Sequence, residues 1–110
     1  MNSVASAQDL SRAMASDTPL LVSFTASWCG DCHYLKPSLP ELETQFSGKV
    51  TFLQVDIDEL PAVAQEQEVT GIPSFILFHA GREVYRLVNE RRKTKEEVRQ
   101  FLEKGLSLIH

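Results

Sequence analysis

The chain has 110 residues, of which 43% are hydrophobic and 24% charged, and a formal net charge of −4. That length and apolar content suit one small domain with its own core, and exclude a disordered chain. The acidic balance, with no long basic face, excludes nucleic acid as a natural partner. No apolar run approaches the ~20 residues of a membrane helix.

The first helix opens at Ser6-Ala7-Gln8-Asp9, a capping box with Asp in place of the usual Glu, and turns Leu10, Ala13 and Met14 to one face. Asp17-Thr18-Pro19 ends it. Leu20 to Ala26 is apolar and partly β-branched, which predicts a buried strand. Leu35, Leu39, Leu42 and Phe46 recur at helical spacing in the segment His33 to Phe46. Ser47-Gly48-Lys49 stops that helix. Val50 to Asp58 predicts a second strand, with Leu53, Val55 and Ile57 on one face and Val50, Phe52 and Gln54 on the other. Pro61 suits the first turn of a short helix through Gln65. Gly71-Ile72-Pro73-Ser74 breaks the pattern, and Phe75 to Phe78 resumes it as a strand. Ala80-Gly81 turns that strand into a hairpin with Glu83 to Val88. Thr94-Lys95-Glu96-Glu97 caps the last helix, Val98, Phe101 and Leu102 face inward, and Gly105 closes it. Strands alternating with helices imply parallel pairing, and the hairpin adds antiparallel strands. Nothing repeats and no linker intervenes, so residues 1–110 read as a single domain. Met1 to Met14 lacks the basic-then-apolar pattern of an export signal, so the expected compartment is the cytoplasm.

Trp28-Cys29-Gly30-Asp31-Cys32 holds both cysteines of the chain and stands where the first strand gives way to a helix. Cys29 falls at the helix N-terminus, where unpaired N–H groups and the positive dipole end favour the reactive thiolate. Cys32 lies one turn on, within reach for a disulfide. One sulfur can attack and the other can resolve the mixed disulfide. Two other readings use the same residues. Cys29-x-x-Cys32-His33 matches a haem attachment motif, but that needs an exported chain. Zinc on Cys29, Cys32 and His33 lacks a nearby fourth ligand, since His79 and His110 are far along the chain.

These residues resemble the thioredoxin family. The resemblance runs from about Leu20 to Leu102. It rests on Trp28-Cys29-Gly30-x-Cys32, on Pro37 at the kink of the active-site helix, on Val55-Asp56-Ile57-Asp58, and on Gly71-Ile72-Pro73. It implies an α/β thioredoxin fold with a central mixed sheet of four or five strands and helices on both faces. It implies a cis Pro73 facing the cysteine pair, Ile72 free to pair with an extended substrate, and Trp28 and Gly30 as the other wall of a substrate groove. The implied activity is thiol–disulfide exchange, with Cys29 attacking a protein disulfide and Cys32 resolving. No bound cofactor is implied; an external NADPH-dependent reductase, a thioredoxin reductase, would reset the pair. The expected partners are disulfide-containing proteins, and the expected state is a monomer. The rivals are a non-catalytic thioredoxin-like interaction module and a metal-binding Cys-x-x-Cys protein.

Four departures from the family pattern stand out. Asp31 replaces a proline, and its carboxylate disfavours the Cys29 thiolate by about 0.5–1 kcal/mol at a separation of roughly 7 Å. Ser23 replaces a buried aspartate and Gln54 its lysine partner, so Asp31 is the expected stand-in base for Cys32. Val88-Asn89-Glu90 replaces a groove glycine, with one residue inserted, and so narrows or recharges the docking surface. Thr25 replaces a tryptophan. Arg91-Arg92-Lys93-Lys95 reads as a solvated turn, and His33 as a surface substitution able to tune Cys29.

Overall fold

A computed structural model of the chain describes residues 1–109. In chain order the elements are β1 (Asn2–Ser3), α1 (Ala7–Met14), β2 (Leu20–Thr25), α2 (Gly30–Leu35), a 3₁₀ turn (Lys36–Ser38), α3 (Leu39–Gln45), β3 (Thr51–Asp56), α4 (Pro61–Glu66), β4 (Ser74–His79), β5 (Arg82–Leu87) and α5 (Lys95–Ser107). The strands form one sheet in the order β1-β3-β2-β4-β5. β1, β3 and β2 run parallel, and β4 and β5 are antiparallel to their neighbours.

Alternation along the strands splits the core into two layers. Leu21, Phe52, Phe75 and Leu77 pack with Leu35, Leu42, Val98 and Phe101 beneath α2, α3 and α5. Leu20, Val22, Phe24, Val55 and Ile76 pack with Leu10 and Val63 on the opposite face. β2 is the central strand, and its residues Leu20 to Phe24 are buried almost completely. The cysteine segment leaves from the C-terminal end of that strand, so a buried central strand carries it. Both caps read from the sequence are present. Ser6 accepts from the Asp9 N–H and Thr94 from the Glu97 N–H.

Three expectations need correction. The chain opens with a strand, not a helix. Asn2 and Ser3 pair with Leu53 and Gln54, and two residues are too few to show a period. The helix expected from His33 to Phe46 is broken into α2, the 3₁₀ turn and α3. Pro37 and Pro40 have no N–H to give to the preceding turn, so the ladder cannot continue through them. Finally, the basic run is solvated at Arg91, Arg92 and Lys95 but not at Lys93. Lys93 is 1% exposed, and its ammonium donates to the Asn89 carbonyl at 3.0 Å and to Asn89 Oδ1 at 2.7 Å. Burial, reinforced by Arg91, pulls its pKa below the ordinary lysine value, against the opposing pull of Glu97 and Asp31. Arg92 pairs with Asp31, and Lys95 Nζ lies 2.5 Å from Glu41 Oε2.

Candidate active site

Cys29 caps α2 in an extended conformation, and its Sγ accepts the Cys32 N–H at 3.1 Å. The two cysteines form a disulfide with Cα atoms 5.2 Å apart. Both are buried, packed with Ala26 against Ile57 and Ile72. The Ile72–Pro73 peptide bond is cis, and Pro73 is buried. The segment before β4 is latched: Ser74 Oγ donates to the Gly71 carbonyl at 2.5 Å and lies 3.4 Å from the Asn89 carbonyl.

The two cysteines line different cavities. Cys29 borders a groove of about 450 Å³, shared with Trp28, Gly30, Asp31, Gly71 and Ile72. Cys32 borders a second cleft of about 210 Å³, shared with Ser23, Thr25, Gln54, Asp56 and Pro73. Trp28, Gly30 and Ile72 therefore share one cavity with Cys29, while Pro73 faces the other. Trp28 is 66% exposed, and its indole N–H donates to Asp58 Oδ2 at 2.8 Å. It forms a wall of the groove and is no part of the core.

Asp31 does not line the Cys32 cleft. Its Oδ1 lies 3.0 Å from Arg92 Nε, and the Arg92 guanidinium in turn sits 4.1 Å above the Tyr34 ring centroid. The expected stand-in base thus lies on the Cys29 side, with its charge offset. The carboxylate on the Cys32 side is Asp56, which sequence reasoning placed only within a motif. Asp56 Oδ1 accepts the N–H groups of Asp58 and Glu59, which fixes the carboxylate at the end of β3. Arg92 went unrecognised because it is 61 residues from Asp31. No local spacing signals such a pair.

His33 is exposed, and its Nε2 lies 2.7 Å from the Ser27 carbonyl. A carbonyl only accepts, so Nε2 carries the proton. His79 bonds the Asp17 carbonyl in the same way, and His110 lies outside the described residues. Among the described residues no group of three or more His, Cys, Asp or Glu side chains converges as a metal site.

The thioredoxin family model matches residues 3–104. Thioredoxin H2 of Arabidopsis thaliana is 38% identical over 71% of this chain, but the match spans 58% of that relative. Thioredoxin 1 of a Nostoc species is also 38% identical, over 83% of each chain. A bifunctional thioredoxin reductase/thioredoxin of Mycobacterium leprae is 38% identical over 73% of this chain and 18% of its own length. The solved Plasmodium falciparum thioredoxin superposes with a TM-score of 0.85 at 26% identity, covering 94% of this chain and 98% of that one. A cysteine disulfide at the head of a helix, on a sheet of this order, in a chain so matched, has one consistent assignment. The chain belongs to the thioredoxin family of thiol–disulfide oxidoreductases.

Proposed function

We propose that the protein is a dithiol reductant of protein disulfides, with Cys29 as the attacking thiolate and Cys32 as the resolver. The separation of the two cysteines between two cavities carries this assignment. Cys29 borders the groove of about 450 Å³, the larger of the two cavities beside the pair. It attacks one substrate sulfur, the substrate S–S bond breaks, and the other substrate sulfur leaves as a thiolate. Cys32 then loses its proton and attacks Cys29 Sγ. The second substrate thiolate departs, and two electrons have passed from the pair to the substrate. An external reductant must restore the dithiol. The bifunctional thioredoxin reductase/thioredoxin of Mycobacterium leprae supports a thioredoxin reductase in that role.

The local charges support the reducing direction. Arg92 offsets Asp31, so the two together add little net charge beside Cys29. The thiolate is left with the Cys32 N–H and the helix dipole. A strongly oxidising disulfide needs more stabilisation of its reduced form than that. Equilibration in defined thiol/disulfide buffers, read by alkylation and mass, should give a midpoint near about −270 mV. A midpoint at about −180 mV or above would make the protein an oxidant or isomerase instead.

Resolution needs a proton acceptor on the Cys32 side. We assign it to Asp56, acting through water in the polar cleft. Asp56→Asn should slow release from a preformed mixed disulfide by about tenfold or more. Asp31→Asn should leave that step unchanged; the opposite pattern would return the role to Asp31. The reading includes a cytoplasmic setting, where thiols are kept reduced. It includes a monomer.

A further inference from the structure

The groove beside Cys29 has an unequal charge lining. Trp28, Ile57, Val69 and Ile72 make its walls apolar, while Asp31 and Glu90 contribute carboxylates. Among the described residues no lysine, arginine or histidine lines it. Asp31 is paired with Arg92. Glu90 forms no ion pair, and its carboxylate takes no hydrogen bond, among the described residues. Its full acceptor capacity is therefore open to a ligand.

Glu90 is also held in place. A Cβ on Gly71 would fall 2.6 Å from the Asn89 carbonyl carbon and oxygen and 2.7 Å from Glu90 Cγ, so the loop lies directly over Gly71. The Asn89 carbonyl receives Lys93 Nζ at 3.0 Å. The loop is thus fixed from both sides, and Glu90 Cγ lies beside Gly71, the residue before Ile72. A substrate strand laid along Ile72 brings a side chain one or two residues from its attacked cysteine to Glu90, at ~3.3 Å per residue.

Resting on the reductant reading above, we propose that this groove selects disulfides flanked by lysine or arginine, and that Glu90 is the specificity-determining residue. An ammonium or guanidinium meets an unpaired carboxylate there against partly apolar walls. An acidic flank meets like charge, which disfavours docking.

The test uses three disulfide peptides that differ only in a residue two positions from the attacked cysteine: Lys, Ser or Glu. Single-turnover reduction by pre-reduced protein is followed by mass. The wild type should reduce the Lys peptide about tenfold faster than the Glu peptide at low salt, with Ser between and the ratio shrinking as salt rises. Glu90→Gln should bring the ratio to about twofold or less, and Glu90→Lys should reverse the order. Asp17→Asn makes the same change in net charge at the other end of β2 and should preserve the ratio. A ratio that persists in Glu90→Gln, or collapses equally in Asp17→Asn, overturns the selection. Equal reduction of all three peptides by the wild type overturns the selection and leaves the reductant reading standing. Reduction of none overturns both.

Discussion

Cys32→Ser is expected to lose steady-state disulfide reduction by at least about a thousandfold while capturing one equivalent of substrate as a stable mixed disulfide. The expectation follows from which cysteine meets which cavity. Cys29 borders the groove and can still attack. The serine left beside Ser23, Thr25 and Asp56 cannot displace the substrate, because a hydroxyl is a poor nucleophile toward sulfur. Intact mass should show protein plus one substrate chain, released by dithiothreitol. Cys29→Ser should show no adduct, since Cys32 does not border the groove. An adduct on Cys32 in that variant would reverse the two roles. The two substitutions together separate exchange chemistry from mere binding, because a non-catalytic interaction module would hold its partner without forming either adduct.

The second large effect is structural. Gly71→Ala should destabilise the protein by about 2 kcal/mol and lower Tm by about 8 °C. The new methyl has no room. Its nearest neighbours are backbone atoms of Asn89, 2.6 Å away, and backbone cannot swing aside like a side-chain tip. Either the segment before β4 or the loop after β5 must move. That separation weakens the Ser74 and Lys93 contacts to the Asn89 carbonyl and displaces Glu90 from the groove. Gly30→Ala is the matched control. A Cβ there meets nothing within 4 Å, so stability should hold to within about 0.5 kcal/mol. Denaturant midpoints for the two variants decide the matter. Equal stability would mean that the loop is slack over Gly71.

Why the sequence revealed the strands and the cysteine site but missed the loop follows from the range of each signal. Leu53, Val55 and Ile57 against Val50 and Phe52 is a period-two pattern, and it placed β3 and its two faces correctly. Cys29 and Cys32 are three residues apart, so a helix start alone brings them together. The family resemblance marked a kink at Pro37, though not that a 3₁₀ turn over Lys36–Ser38 would stand between two helices. Asp31 and Arg92, Lys95 and Glu41, and Gly71 and Asn89 meet only once the chain has folded. Composition shows that Lys93 is charged. It does not show that Asn89, four residues earlier, folds back to receive its ammonium. The candidate base moved from Asp31 to Asp56 for the same reason. Chain distance favoured the first, and the side of the cysteine pair favours the second.

The burial of Lys93 has a chemical consequence. Lys36, Lys49, Lys95 and Lys104 stand in solvent, and an acylating reagent meets them directly. Lys93 is shielded, so its amine reacts only when the segment between β5 and α5 swings open. Once uncovered it carries an ordinary amine, with no covalent tie to slow the reagent. The acylation rate at that one lysine, counted by peptide mass against the other four, is therefore a clock for the opening of the loop that holds Glu90 over the groove.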